Sequence, residues 1–294
     1  MRMSSLAELV ALCREEGLTI GELMLLEQAR ESGEPPERIR QQMADYYGIM
    51  KEAVRKGLDA RVRSASGLTG GDAARVKAYA EGEPSLGGGA ADAMAYALAV
   101  SEVNASMGRI VATPTAGSCG VIPGVFVHSQ ERFGWEDDKL VSGLFAAGAI
   151  GYIIANRSFV SGAEGGCQAE IGSAIGMAAG ALAELRGGTP EQAVHAVGLA
   201  LKNSLGLICD PVAGLVEIPC IVRNGFGAVT ALAAADMALA GVISAIPTDE
   251  VVGVMLEVGS AMPSEHRETA RGGLAQTPTG RRIMEELYGK EEPT

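Results

Sequence analysis

Along the first sixty residues, apolar positions recur at intervals of three and four, the pattern of helices that bury one face. Leu6, Leu9, Val10 and Cys13 share a side of a first helix, with Ser5 and Glu8 in capping-box register and Gly17 as its stop. Thr19 and Glu22 repeat the capping pattern ahead of Leu23, Met24 and Leu26. The turn G-E-P-P, Gly33 to Pro36, opens a third helix whose stripe is Ile39, Met43, Tyr46 or Tyr47, Met50 and Val54, ending at Gly57. Cys13 lies on an apolar stripe and is expected in the core.

The texture changes at residue 64. Residues 64–89 are rich in Gly, Ser and Pro around one short helical piece near Asp72 to Ala80, which predicts a flexible connection after an N-terminal helical segment, 1–63. An Ala-rich helix over 90–106 is followed by A-T-P-T-A-G-S-C-G-V-I-P-G, Ala112 to Gly124, where a loop is expected. Further helices are predicted at about 138–155, 168–186, 190–204, 220–244 and 249–259. The one at 190 is announced by Thr189, Pro190 and Gln192 as cap, first turn and capping-box partner. Gly172, Gly176 and Gly180 form a ridge that allows close helix approach. A glycine-rich loop, Arg271 to Gly280, precedes a terminal helix, R-R-I-M-E-E-L-Y. No stretch alternates in the manner of a strand, so the expected fold is all-α: a compact multi-helix bundle with Gly-rich loops, 1–294 forming a single domain.

Composition sharpens this picture. With 40 glycines and only 4% aromatic residues, the 47% apolar content is mostly small aliphatic side chains, so the helices should approach closely. A net charge of −12 without a basic patch argues against a nucleic-acid partner. The start, M-R-M-S-S-L-A-E-L, shows no basic region followed by an apolar one, which makes the cytoplasm the expected location. The apolar run 140–155 is shorter than the ~20 residues of a membrane span, and the run 228–246 contains Asp236; both read as buried helices with no membrane role. Five cysteines, an odd number, favour free or metal-bound thiols over disulfides.

Three of these cysteines fall between E-G-G-C-Q-A-E (Glu164 to Glu170) and C-D-P-V-A-G-L-V-E-I-P-C (Cys209 to Cys220). Each sits close to Gly or Pro, where regular structure breaks and a sulfur can be presented on a turn. They lack the close pairing of structural zinc sites, and buried free thiols are the plain alternative. Were they ligands, three thiolates without a fourth would suit an iron–sulfur cluster with one iron open better than a closed zinc site. The loop Thr113 to Gly124, with three glycines and two prolines, is either a simple connection or a nest of backbone N–H groups for a carboxylate. Cys119 reads as a filler there. His128, His195 and His266 make no paired ligand motif, Lys202 reads as an ordinary lysine at a helix C-terminus, and no phosphate-loop or nucleophile-elbow motif occurs.

The strings A-T-P-T-A-G-S-C-G-V-I-P-G, E-G-G-C-Q-A-E-I-G-S-A, N-S-L-G-L-I-C-D-P-V-A-G-L-V-E-I-P-C-I-V-R-N and R-G-G-L-A-Q-T-P-T-G closely resemble the α chain of bacterial iron–sulfur-dependent L-serine dehydratases, over nearly the whole chain. The resemblance implies a [4Fe–4S] cluster on Cys167, Cys209 and Cys220 that acts as a Lewis acid in eliminating water from L-serine, giving pyruvate and ammonia. It assigns Thr115, Ala116 and Gly117 to substrate contact, with Ala116 standing where many single-chain relatives have Asn. Glu164, Asp210 and Asn224 flank the cysteines and are expected to orient them. Single-chain relatives end in a cysteine and carry an S-S-S-H-T-type motif; this chain ends G-K-E-E-P-T and has no such motif, which implies a two-chain enzyme completed by a β chain. The catalytic base is unassigned here and expected to be a β-chain histidine. The rival readings are an L-cysteine desulfidase of the same broad family and a non-catalytic zinc or scaffold subunit.

Overall fold

A computed structural model describes residues 1–289 as helices joined by turns, with no strand among them. Helices α1 (Leu6–Glu16), α2 (Ile20–Ser32) and α3 (Pro36–Gly57) begin and end where the capping signals put them. Thr19 and Glu22 form the full capping box. At α1 the Ser5 hydroxyl accepts from the Glu8 N–H as expected, but the Glu8 carboxylate turns one residue further out, to the N–H and hydroxyl of Ser4.

The centre of the bundle is α5 (Gly87–Ala105), packed against α3, α4 (Asp72–Ala80), α6 (Val121–Phe133) and α11 (Cys220–Leu239). Its alanines explain how four helices reach it. A methyl group at Gly57 would stand 2.0 Å from the Ala99 carbonyl oxygen, and one at Gly120 would stand 2.2 Å from that of Ala97. Glycine at these positions lets α3 and α6 approach backbone to backbone. Each apolar side chain sealed in such a core contributes about 1.5–3 kcal/mol for a residue of Leu or Ile size.

Helix α6 was not expected, because Pro123 and Gly124 interrupt its start in sequence. Both sit in its first turn, where the N–H that proline lacks would have had no helical partner. The loop therefore closes at Gly120 rather than Gly124. Helix α11 stops at Leu239, five residues short of expectation, and Gly241 turns the chain with φ of 95°. Helices α10 (Pro190–Ser204) and α12 (Thr248–Ala261) lie where predicted.

Helix α7 (Asp137–Arg157), at 21 residues, is long and apolar enough to cross a bilayer by length and composition, although its central apolar run is shorter. It is a core helix here, burying Leu144, Phe145, Ile150, Ile153 and Ile154 against α2, α3 and α9 (Ser173–Leu185). The glycine ridge of α9 faces α10: methyl groups at Gly172, Gly176 and Gly180 would meet Ser204, Val197 and, at Gly180, Ile150 with Val197.

Residues 64–71 are tied at both ends. Ser66 and Thr69 donate to the Glu217 carboxylate at 2.8 and 2.7 Å, and the buried Glu102 carboxylate accepts the N–H groups of Gly71, Asp72 and Ala73 at the start of α4. The chain finishes with α13 (Pro278–Tyr288). Of the sequence G-K-E-E-P-T, from which a missing terminal thiol was read, residues 290–294 lie outside the described residues.

Candidate active site at the cysteine end of the bundle

Three separate breaks in the helical fold converge here. Cys167 follows Gly166, whose φ of 74° ends the single turn α8 (Gly162–Gly165), and precedes a π-helical turn, Gln168–Gly172, that leads into α9. An amide fixes this entry: Gln168 accepts from the Gly206 N–H at 2.8 Å and donates to the Met255 carbonyl at 2.9 Å. Cys209 lies in an extended stretch after α10, bridged to residues 266–268: its N–H donates to the His266 carbonyl at 2.8 Å and its carbonyl accepts from the Glu268 N–H at 2.9 Å. Cys220 is the first residue of α11, so its sulfur leaves a helix start and not an open turn.

All five cysteines are free, and all are buried. The sulfurs of Cys167 and Cys209 and a carboxylate oxygen of Glu170 lie within 4.8 Å of one another. A hydrogen bond from the Cys209 thiol, reinforced by the Arg223 guanidinium, holds Cys167 below the usual thiol range in spite of its burial. Cys209 is pushed up, chiefly by donating that bond and then by burial, and Cys220 is pushed up by burial and by the charge on Cys167. Arg223 also donates to the Ile208 carbonyl at 2.8 Å and to Asp210 at 2.9 Å, placing one fixed cation near Cys167 and Cys220.

The Thr115–Gly117 loop reaches the same place from the C-terminal end of α5. The Thr115 hydroxyl donates to Glu170, and a methyl at Gly117 would lie 2.5 Å from that carboxylate. Asn224, fully buried on α11, holds the loop down. Its amide donates to the Gly117 carbonyl at 2.7 Å and to the Cys220 carbonyl at 2.9 Å, and its oxygen accepts from the Gly120 N–H at 2.9 Å. The N–H groups of Ala116, Gly117 and Ser118 donate to no acceptor among the described residues, and Gly117 and Ser118 are buried. Buried N–H groups without partners are uncommon and form a ready receptor for an anion.

The candidate residues therefore divide. Thr115, Ala116, Gly117, Cys167, Cys209, Cys220 and Asn224 come together. Asp210 sits behind them, its second oxygen accepting the Leu274 N–H at 2.8 Å and so anchoring the glycine-rich loop of residues 271–280. Glu164 is exposed on α8 and makes no hydrogen bond in the site. Three site residues were not singled out from sequence: Glu170, Arg223 and Glu268. Glu170 and Arg223 stand inside the diagnostic strings, and an acid or base in an otherwise apolar, Gly-rich stretch was the available signal. Glu268 gave none, because it arrives through the Cys209 bridge, with φ of 61° at its own backbone. His266 shares that bridge, but its ring nitrogen Nδ1 faces Gly272, buried and without a partner. His195 is remote, accepting from the Ser244 N–H at 3.3 Å.

The donor set suits a metal centre bound through thiolates. Three buried thiols from three chain segments converge near a guanidinium that offsets thiolate charge, with Cys209 pushed up by its hydrogen bond to Cys167 and by burial, and Cys220 by burial and by the charge on Cys167.

The serine dehydratase alpha chain family model matches residues 15–275. A probable L-serine dehydratase alpha chain of Bacillus subtilis is 49% identical over 283 residues, covering 96% of this chain and 94% of that protein. The L-serine dehydratase alpha chain of Peptoniphilus asaccharolyticus is 43% identical over 286 residues, 97% of this chain and 98% of that one. An L-serine dehydratase of Streptomyces coelicolor is 44% identical over 279 residues, which span 91% of this chain and 59% of that longer protein. The chain belongs to the serine dehydratase alpha chain family.

Proposed function

We propose that the chain is the catalytic α subunit of a cytoplasmic L-serine ammonia-lyase, with Cys167, Cys209 and Cys220 holding a [4Fe–4S] cluster and a β chain completing the site. The observation that carries the reading is the juxtaposition of three buried thiols with a loop whose N–H groups have no protein partner.

The reaction removes the α-proton of serine and breaks the β C–O bond, releasing water; the aminoacrylate left behind tautomerises and hydrolyses to pyruvate and ammonia. When bound, the cluster supplies a Lewis acid for the β-hydroxyl, a role worth several kcal/mol in metal enzymes generally. The N–H groups of Ala116, Gly117 and Ser118 receive the substrate carboxylate, and since Ala116 offers no polar side chain the backbone does this work alone. Asn224 and the Thr115–Glu170 hydrogen bond fix that loop against the thiols, so orientation is set before substrate arrives. The hydrogen bond from Cys209, with the Arg223 guanidinium beside it, lowers the Cys167 thiol toward the thiolate that ligation needs.

The proton acceptor is assigned to a β-chain histidine, because His266 turns its ring to Gly272 and His128 and His195 lie elsewhere in the fold. The Bacillus and Peptoniphilus relatives, each named an alpha chain, support a partner. Turnover by the purified α chain equal to that with its β chain would remove this assignment.

The decisive test is anaerobic reconstitution with iron and sulfide. Wild type should become brown, bleach in air, and release pyruvate from L-serine faster than from L-cysteine; Cys209→Ser should lose the chromophore and the activity. An unchanged chromophore in Cys209→Ser would sink the ligand set, and preference for L-cysteine would make the protein a desulfidase. A colourless protein that binds zinc would make it a structural subunit.

A further inference from the structure

A cavity of about 440 Å3 opens at the N-terminal end of α5, away from the cysteines. It is walled by the first turn of α5 (Gly87 to Ala90), by His128, Ser129 and Arg132 on α6, and by Arg186 beyond α9. Since Asn104, near the other end of α5, contacts Ala116 of the cysteine site, the two sites are separated by about 25 Å of helix at 1.5 Å per residue.

The cavity collects hydrogen-bond donors and leaves them unused. Helix α5 has no capping side chain and no acid in its first turn, and the N–H groups of Gly88 and Gly89 donate to no acceptor among the described residues. The Ser129 hydroxyl is without a partner although the residue is only 1% exposed. His128 is 6% exposed and forms no hydrogen bond; its ring edge faces the glycine turn, with Cε1 and Nε2 at 3.1 and 3.4 Å from where a Gly89 methyl would stand. Arg132 reaches the same point, its Nη1 at 3.7 Å, and has no ion pair among the described residues. Glycine at 88 and 89 keeps that turn open to a ligand.

The acids around the cavity are already engaged. Asp236 lies 3.6 Å from Arg186, Asp92 is bound by Lys77 at 2.7 Å, and Glu131 accepts from the Tyr96 hydroxyl at 2.7 Å. What remains is a helix N-terminus, a hydroxyl, an imidazole and an unpaired guanidinium. A carboxylate has two oxygens and cannot use so many donors; a phosphate has three terminal oxygens and can. The volume exceeds one phosphate; the remaining wall is apolar at Leu182, Val229 and Leu232 and carries one acid, Asp236, paired with Arg186.

We propose that this cavity binds a small phosphomonoester, its phosphate on the first turn of α5 between Ser129, His128 and Arg132. The site is independent of the cysteine centre.

Calorimetric titration of the full chain in phosphate-free buffer tests it, with glycerol 3-phosphate and inorganic phosphate as the two probes. Glycerol 3-phosphate should bind saturably at one site and more tightly than inorganic phosphate. Binding should weaken about tenfold in Ser129→Ala and in Arg132→Gln, the effect of losing one hydrogen bond to a charged group. Arg132 is exposed and unpaired, and Ser129 loses only an unpartnered hydroxyl, so both variants should keep the wild-type unfolding midpoint without ligand. No saturable binding, or equal affinity in wild type and the double variant, would overturn the site. Binding of inorganic phosphate as tight as that of the ester would overturn the phosphomonoester assignment.

Discussion

Two buried carboxylates, Glu102 on α5 and Glu170 on the turn that leads into α9, behave differently. Glu102 accepts three backbone N–H groups, from Gly71, Asp72 and Ala73, and so acts as the missing N-cap of α4. Glu170 accepts a single hydroxyl, from Thr115, and otherwise faces sulfurs. Burial pushes both above the ordinary carboxylate range, but at Glu102 the three N–H groups oppose the push, whereas at Glu170 only one hydrogen bond and the more distant Arg223 do. A saturated buried acid is scaffolding. An unsaturated one beside thiols marks a place where the fold has left capacity for a ligand.

The comparison can be broken at either member. Glu102→Ala strands three N–H groups, and at about 1–3 kcal/mol per unsatisfied buried donor the loss should be about 4 kcal/mol. Urea unfolding measures it; a midpoint shift no larger than that of a surface substitution would remove Glu102 from the scaffold. Glu170→Gln should instead leave stability within about 1 kcal/mol and lower serine turnover about a hundredfold, equivalent to ~2.7 kcal/mol of transition-state stabilisation. If turnover holds while stability falls, Glu170 is a second anchor and the contrast disappears.

Asn224→Ala tests the link between loop and cysteines. It removes three hydrogen bonds and should cost about 2 kcal/mol of stability, with a rise in KM for L-serine, since the N–H groups of Ala116 to Ser118 lose their fixed position. An unchanged KM would detach that loop from substrate binding.

The smallest effect is one of pH. Because the folded-state value of Glu102 is raised above 4.5, its contribution to stability is fully present below that value and is lost as pH rises through the folded-state value. The urea midpoint of wild type should therefore fall relative to that of Glu102→Gln as pH is raised from 4.5 toward neutrality. A constant difference would mean that Glu102 titrates as an ordinary glutamate.

The legible part of the molecule was local. Ser5, Thr19, Thr189, Pro190 and the stopping glycines Gly17 and Gly33 act within a few residues of themselves, so their helix ends could be read directly. Helix α6 was hidden because Pro123 and Gly124 signal a break in any context except a first turn, and which context applies is not a local property. At the site, Asp210 and Asn224 were found by adjacency to cysteines, and adjacency misled at Glu164, which an intervening turn carries to the surface.

By itself, the sequence determined the helical elements, the all-α class, the small-residue packing of α5 and the three cysteines with their family strings. Hydrogen-bonding caps, periodicity and motif identity all act over short spans. Only the tertiary structure decided that Arg223 and Glu170 stand among the sulfurs, that Glu268 and His266 arrive by a backbone bridge to Cys209, and that the glycine turn of α5 meets Ser129, His128 and Arg132. Those neighbours are set by how α5, α6, α9 and α11 pack, and their separation along the chain carries no record of it.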